Sequence, residues 1–118
     1  MMFTLRREYR FEAAHQLTKV PEGHKCGRMH GHSYCVAVIL KGADLTGGWL
    51  LDFAEVDEIA GPTIRGLDHR CLNDVIDNPT SERIALWLHE AIAPRLPWGL
   101  VWIEVSETER SSVTYGPE

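Results

Sequence analysis

The 118-residue sequence has no apolar run long enough for a membrane span, no excess of positive charge and no closely spaced pair of cysteines. Its most apolar stretch, residues 34–40, falls well short of the roughly 18 residues that a spanning helix needs. The N-terminus also lacks the basic-then-apolar order of a secretion signal. The three cysteines are odd in number, so we interpret them as free thiols in a reducing compartment. We therefore expect a cytoplasmic protein without a membrane partner.

Length and charge limit the class further. A chain of 118 residues is too short for two domains, so we treat residues 1–118 as a single domain with one modest core. The formal net charge of -5 argues against a general nucleic-acid binder, for which a basic face is expected. It does not exclude an anionic small-molecule substrate, because a local basic pocket can occur in an acidic protein.

Apolar periodicity predicts four strands. From Phe3 to Ala13 apolar and polar residues alternate, broken only at Arg7, which is typical of a strand with one buried face. His15 has the parity of the buried residues of that strand. The other three strands are expected at about residues 31–41, 100–107 and 111–115.

Two helices are predicted between the second and third strands. Asp52 and Thr80 are the expected N-caps, and apolar residues with helical spacing follow each of them. Gly61-Pro62 predicts a kink or break in the first helix. The order ββααββ therefore predicts an α+β fold, a four-stranded antiparallel sheet with two helices on one face.

The second strand is apolar on both of its faces from Val36 to Leu40. Such a strand is expected to be covered on both sides. The two helices of one chain cover only one face, so the sequence favours a homo-oligomer that associates through its sheets.

Three histidines form the strongest candidate site. His30 and His32 are two residues apart at the entry of the second strand, so their side chains point the same way in extended backbone. His15 ends the first strand. Three neutral imidazoles that converge on one point suit zinc and leave a coordination position open. The alternative is two solvated histidines and one core histidine, and His24 is a rival ligand in the intervening loop.

Cys26 lies close to this pair and has three possible roles. It is a fourth ligand of a closed structural zinc site, a nucleophile or base, or an inert loop thiol. A thiol near a cation ionises more readily, and the thiolate is its reactive form.

Two further groups carry chemistry. Asp68 and His69 suit a base and the carboxylate that orients it, although adjacent side chains often diverge. Glu107 continues the parity of a buried strand face, where a carboxylate must be paired or functional. It caps the strand, pairs with Arg110, or accepts two hydrogen bonds from an amidine-like heterocycle edge.

Five motifs in order resemble the 6-pyruvoyltetrahydropterin synthase-like family across nearly the whole chain. They are Phe11-x-Ala13-Ala14-His15, Cys26-x-x-x-His30-Gly31-His32, Leu67-Asp68-His69-x-x-Leu72-Asn73, Asn78-Pro79-Thr80-Ser81-Glu82 and Glu107-Thr108. Within the family, the three residues between the cysteine and His-Gly-His favour the bacterial branch that makes 6-carboxy-5,6,7,8-tetrahydropterin for queuosine biosynthesis.

The resemblance implies a tunnelling fold (T-fold), in which several subunits close their sheets into a barrel with active sites between chains. It implies Zn²⁺ on His15, His30 and His32. It makes Cys26 a catalytic thiol and Asp68 with His69 a proton-handling dyad. Glu107, helped by Thr108, is expected to bind the pterin's 2-amino and ring N–H edge. The implied substrate is 7,8-dihydroneopterin triphosphate, which is converted to 6-carboxy-5,6,7,8-tetrahydropterin with loss of triphosphate and acetaldehyde.

Two alternatives stay open. One is a pyruvoyl-forming synthase or another pterin side-chain enzyme, which would not release acetaldehyde. The other is a non-catalytic, zinc-stabilised binding module, in which Cys26 would be needed to hold the metal.

Overall fold

A computed structural model describes residues 1–97 and 100–118. Its strands and helices follow one another as β1 Phe3–His15, β2 His30–Gly42, α1 Phe53–Arg65, β3 Arg70–Cys71, α2 Ser81–Ile92, β4 Val101–Thr108 and β5 Ser111–Tyr115. Short 3₁₀ turns lie at Lys25–Gly27, Leu72–Asp74 and Ala93–Arg95.

A long antiparallel hairpin of β1 and β2 forms the centre of the sheet. Its register runs from Phe3 opposite Gly42 to His15 opposite His30 without interruption. Strand β4 pairs antiparallel with the other edge of β2, and a two-residue turn joins β4 to β5. The strand order is therefore β3-β1-β2-β4-β5.

One face of this sheet carries the core, and both helices pack on it, as predicted. Alternation places one parity of each long strand on that face, because successive side chains point to opposite sides. The buried residues that the strands and helices share in one cluster include Leu5, Phe11, Val36, Val38, Leu40, Val101, Ile103, Val105, Val56, Ala60, Ile64, Ile84, Leu88 and Ile92. The opposite face carries charged side chains, among them Arg6, which pairs with Glu8 and Glu104.

The prediction of four antiparallel strands is wrong in one respect, because the sheet formed by the described residues has five strands and is mixed. Strand β3 consists only of Arg70 and Cys71, and it runs parallel to the end of β1 beside Ala13 and Ala14. The order is therefore ββαβαββ. Two residues are too few to show any periodicity, so this strand has no signal in the sequence.

Helix α1 runs through Gly61-Pro62 without the expected break. Asp52 caps its N-terminus, as predicted, by accepting a hydrogen bond from the Ala54 N–H. Val56, Ala60 and Ile64 lie one turn apart and are buried in the core. Burial of Ile64 after the proline holds the last turn in register, and the helix ends only three residues beyond Pro62.

Thr80 caps helix α2 as predicted, since its hydroxyl accepts a hydrogen bond from the Arg83 N–H at 3.2 Å. None of the helices in residues 1–97 and 100–118 has the length and apolarity needed to cross a bilayer. In the described chain, β3 covers the outer edge of β1 only at Ala13 and Ala14. The sheet also ends at the outer edge of β5, so two strand edges lack a neighbour within this part of the chain.

Candidate metal centre and active site

The β1–β2 hairpin brings His15, His30 and His32 together. His30 lies directly opposite His15, and His32 is opposite Ala13, so all three side chains project from the core face of the sheet. One ring nitrogen from each lies within 4.8 Å of the others. His15 is buried, with 1% of its surface exposed, and the other two are partly exposed. The structure therefore contains the convergence that the sequence predicts.

Two backbone carbonyls fix the orientation of two of these rings. Nδ1 of His15 lies 2.7 Å from the Pro79 carbonyl oxygen, and Nδ1 of His30 lies 2.7 Å from the Arg28 carbonyl oxygen. A carbonyl only accepts, so each Nδ1 carries the proton and each Nε2 of the neutral ring carries a lone pair. The two Nε2 atoms are 2.9 Å apart. Two lone pairs at that distance repel unless a cation lies beside them.

His32 completes a donor set suited to a metal. Its Nε2 atom is buried and has no hydrogen-bond partner within the described chain. Burial lowers the pKa of His32, and the neighbouring His15 and His30 lower it further, while Glu107 opposes the shift. A lowered pKa keeps the imidazole neutral, which is the form that binds metal. Three imidazoles whose ring nitrogens converge in this way fit Zn²⁺ with one coordination position open.

Glu107 places a carboxylate beside the three histidines. Its Oε2 atom lies 3.6 Å from Nε2 of His32, and its Oε1 atom lies 4.0 Å from Nε2 of His15. The Ser81 hydroxyl donates to Oε1 at 3.1 Å, which ties the first residue of helix α2 to the carboxylate. The alternative in which Glu107 pairs with Arg110 is not seen, since Arg110 is not among its ion pairs in the described residues.

Tyr34 forms a rigid floor below this cluster. Its ring stacks on Phe11, with centroids 4.9 Å apart, and meets the rings of His15 and His32 edge to face at 5.8 Å and 5.5 Å. The side chain is fully buried, and burial together with Glu107 raises the pKa of its hydroxyl. A close-packed aromatic pair of this kind limits how far the imidazoles can move.

Two asparagines hold the chain that follows His15. Asn73 accepts a hydrogen bond from the Gln16 N–H at 2.8 Å and donates to the Gln16 carbonyl at 2.7 Å. Asn78 accepts from the Thr18 N–H at 3.0 Å. These bonds connect the end of β1 to the segment that leads into helix α2, where Pro79 and Ser81 contact the site.

Cys26 lies in the 3₁₀ turn Lys25–Gly27 and is partly exposed. Among the described residues it does not belong to the group of converging ligand atoms, and neither does His24. His24 instead caps the turn, because its Nδ1 accepts a hydrogen bond from the Cys26 N–H at 3.0 Å. The geometry therefore favours a three-histidine centre over one closed by either residue.

Asp68 and His69 do form a pair, with 3.0 Å between the Asp68 Oδ2 and His69 Nδ1 atoms. His69 adopts a left-handed backbone conformation with φ 58°, and its N–H donates to the Glu12 carbonyl. The other Asp68 oxygen accepts from the Glu12 N–H at 2.8 Å, and this bond, followed by the one from His69, lowers the pKa of Asp68. The carboxylate therefore stays ionised beside the imidazole.

This dyad is at the outer edge of β1, apart from the Nε2 cluster. The His69 side chain is 78% exposed. It borders an open groove of about 590 Å³ together with His32, Ser33 and Cys71. A smaller recess of about 170 Å³ lies between Ser81, Glu107 and Thr108. The structure thus joins the three histidines with Glu107, and leaves Asp68 and His69 facing outward.

Sequence reasoning did not identify Ser81, Tyr34 or the carbonyl groups of Pro79 and Arg28 as parts of the site. The capping signal at Thr80 gives the start of helix α2 and therefore the placement of its neighbours Pro79 and Ser81. No residue type predicts a backbone carbonyl that orients a histidine ring, because every residue has that group.

Known proteins are similar to this chain in both sequence and fold. The family model described as PTPS, 6-pyruvoyl tetrahydropterin synthase, matches residues 4–118. A 6-carboxy-5,6,7,8-tetrahydropterin synthase of Synechocystis sp. is 38% identical over 97% of this chain and 93% of that protein. A dihydroneopterin monophosphate aldolase of Pyrococcus furiosus is 38% identical over 74% of this chain and 72% of that protein.

The solved structure of Caenorhabditis elegans 6-pyruvoyl tetrahydropterin synthase superposes with a TM-score of 0.84. The sequence identity is 25%, and the match covers 100% of this chain and 97% of that one. Because the family model matches nearly the whole chain and the relatives agree with it in sequence and fold, the chain belongs to the 6-pyruvoyl tetrahydropterin synthase family.

Proposed function

We propose that this protein is a zinc-dependent carbon–carbon lyase of queuosine biosynthesis. Its substrate is 7,8-dihydroneopterin triphosphate, and its products are 6-carboxy-5,6,7,8-tetrahydropterin, acetaldehyde and triphosphate, with uptake of one water. The observation that carries the proposal is the set of three imidazoles with a carboxylate beside them. The 38% identity with the Synechocystis synthase over nearly the full length supports this substrate among pterin enzymes.

His15, His30 and His32 would hold the metal through their Nε2 atoms. Bound zinc acts as a Lewis acid that acidifies hydroxyl groups and stabilises developing negative charge on oxygen. The protein supplies fixed ligand orientation, because the carbonyls of Pro79 and Arg28 hold two of the three rings.

Cys26 and His69 are the proposed proton carriers. A thiolate at Cys26 removes a proton from the substrate side chain, and the His69 imidazole handles protons on the opposite face. Asp68 stays ionised, orients His69 through the 3.0 Å contact and stabilises the imidazolium when it forms.

Glu107 and Thr108 are the proposed pterin-binding residues. A carboxylate accepts two parallel hydrogen bonds from the 2-amino group and ring N–H of a pterin, as it does from arginine. The recess between Ser81, Glu107 and Thr108 supports this role. Thr108 also accepts a long 3.4 Å hydrogen bond from the Arg110 N–H in the turn after β4, which holds its hydroxyl in place.

We further propose a homo-oligomer with active sites between subunits. Within the described chain, the outer edge of β1 has a strand neighbour only at Ala13 and Ala14, and the outer edge of β5 has none; exposed edges of this kind pair with other strands. Joining β5 of one subunit to β1 of the next would give a closed ring. The exposed dyad at the β1 edge would then face a neighbouring chain.

Product analysis tests the function. The purified, zinc-loaded protein is incubated with 7,8-dihydroneopterin triphosphate, and the products are identified by mass. Release of acetaldehyde together with 6-carboxy-5,6,7,8-tetrahydropterin is the expected result. A pyruvoyl product without acetaldehyde would contradict the proposal.

A second candidate is aldol cleavage of a dihydroneopterin monophosphate, favoured by the 38% identity with the Pyrococcus furiosus aldolase. Breaking the bond between the first two side-chain carbons would leave a hydroxymethyl pterin and a phosphorylated aldehyde. Supplying the monophosphate in a parallel incubation separates the candidates, since only the aldolase retains phosphate on the aldehyde fragment.

A further inference from the structure

We propose that Glu107 is a fourth, displaceable ligand of the metal centre, bound to the metal when no substrate is present and released when a pterin arrives. The release of Glu107 by a pterin rests on the proposed function. The first half of the proposal, ligation of the metal by Glu107, concerns the substrate-free protein alone.

The distances around Glu107 are close to those of a ligand set. Zinc binds histidine nitrogen and carboxylate oxygen at about 2.0–2.2 Å, so tetrahedral ligand atoms lie roughly 3.3–3.6 Å apart. Glu107 Oε2 lies 3.6 Å from Nε2 of His32, and Oε1 lies 4.0 Å from Nε2 of His15. The carboxylate is not part of the group whose ligand atoms all lie within 4.8 Å of one another. Ligation therefore requires the carboxylate to move closer to the three Nε2 atoms than it is in this structure.

The charge of Glu107 also calls for a cation at this point. Its side chain is 29% exposed, and its only ion-pair contacts among the described residues are with His15 and His32. The Nδ1–H of His15 is held by the Pro79 carbonyl, so Nε2 is the His15 atom that faces Glu107 and is available to a metal. A partly buried carboxylate in this position is stabilised by a metal held on the Nε2 atoms of the same rings.

Ser81 provides the means of exchange. Its hydroxyl donates to Oε1 at 3.1 Å, which leaves Oε2 as the oxygen nearest His32. The same carboxylate is the proposed acceptor for two pterin N–H groups, and its two oxygens cannot serve both the metal and the pterin edge fully. Pterin binding and metal binding are therefore antagonistic through Glu107, by equal factors in each direction.

Zinc affinity of the substrate-free, full-length protein tests the first half. It is measured by competition with a fluorescent chelator for the native protein, Glu107→Ala, Glu107→Gln and the control Glu109→Ala, an exposed carboxylate two residues away. We expect Glu107→Ala to weaken zinc binding about tenfold or more, Glu107→Gln to give a smaller loss, and Glu109→Ala to have no effect. Equal affinity in Glu107→Ala and the native protein overturns the proposal. Far-ultraviolet circular dichroism of each metal-free variant verifies that it is folded.

Unsubstituted pterin tests the exchange without turnover, because it has the amidine edge and no side-chain hydroxyls. Saturating pterin is expected to weaken zinc binding several-fold in the native protein and to leave it unchanged in Glu107→Gln. Unchanged or stronger zinc binding in the native protein would contradict displacement. It would mean that pterin does not remove the Glu107 carboxylate from the metal. Failure of the native protein to bind pterin would count against the proposed function, while the Glu107→Ala zinc affinity would still decide ligation.

Discussion

The carbonyl oxygen of Pro79 lies 2.7 Å from Nδ1 of His15, so the residue before the N-cap of α2 orients a side chain at the end of β1. The next residue but one, Ser81, contacts Glu107 from the same helix start. One helix N-terminus therefore sets both a histidine of the proposed metal site and the carboxylate opposite it. Metal binding and the packing of α2 are expected to depend on each other.

Metal removal should therefore destabilise the fold. With free zinc at 100 times its dissociation constant, binding adds about 2.7 kcal/mol to the free energy of unfolding. For a domain of this size that corresponds to roughly 10 °C in Tm. Calorimetry with zinc and with a chelator measures the difference. His32→Ala should abolish this difference in Tm, and His24→Ala, which alters only the turn cap, should preserve it. A native Tm that is the same with zinc and with chelator would refute the metal site.

Replacing Cys26 by alanine should leave zinc in place and abolish turnover. Cys26 is outside the converging ligand group, so zinc content per chain should stay equal to that of the native protein. A lost proton-transfer group costs about 10²–10⁴ in rate. Metal analysis and kcat are compared with those of Cys35→Ala, a thiol on the opposite face of β2. Loss of zinc from the Cys26→Ala variant would instead support a closed structural site with Cys26 as a ligand.

Much of the fold could be predicted because long elements have periodic signals. Strand β1, both helix caps and the last strand were located from alternation and capping residues, and β5 has the predicted bounds 111–115. The failures were local. Strand β3 is too short for a period, and the proline at position 62 was overridden by burial of Ile64 in the core.

The parts of the site that depend on residue type could be predicted from the sequence, and the parts that depend on backbone conformation could not. The parity of His15 and the spacing of His30 and His32 predict a common face, and Glu107 follows from the parity of β4. The pairing of Asp68 with His69 was uncertain because it depends on the left-handed φ of His69. A sequence pattern does not contain that torsion.

Replacing Glu107 by alanine should weaken binding of pterin by about 2 kcal/mol, which is roughly 30-fold in Kd. The reason is that a charged partner for two N–H groups is lost, leaving them without an acceptor in a recess. Isothermal titration with unsubstituted pterin measures the change, and Glu109→Ala is the control. Unaltered Kd in Glu107→Ala would remove this residue from the pterin pocket.

Asp57 should make stability depend on acid pH. Its carboxylate accepts two hydrogen bonds from Arg7, at 2.9 and 2.8 Å, and one from the Tyr9 hydroxyl at 2.6 Å. These bonds lower its pKa in the folded state. A carboxyl with a lowered pKa stabilises the fold above its ordinary value of about 3.9, and that contribution is lost as pH falls through the folded value.

The variant Asp57→Asn should accordingly have a lower urea midpoint than the native protein at pH 7. The difference should shrink as the pH is lowered below about 4, because the unfolded chain then binds a proton at Asp57, and it should be lost once the folded carboxyl is protonated too. Denaturation at a series of pH values measures it, and Asp44→Asn, in the loop after β2, is the control. A difference that stays constant from pH 7 to pH 3 would contradict the assigned pairing.

Mixed oligomers should recover activity that neither parent has. If Cys26 of one chain works with His69 of its neighbour, Cys26→Ala and His69→Ala are each inactive alone. In oligomers assembled from equal amounts of both, about a quarter of the sites would have an intact residue at each position. The 78% exposure of the His69 side chain, beside the outer edge of β1, supports this arrangement. Co-expression with two different tags and a turnover assay on the doubly purified protein measure the recovery.

Mixing His69→Ala with Asp68→Ala gives the matched control, because both changes damage the same dyad and no site regains it. If the Cys26→Ala and His69→Ala mixture is as inactive as that control, each chain contains its own complete site and the outward-facing dyad must turn inward to act.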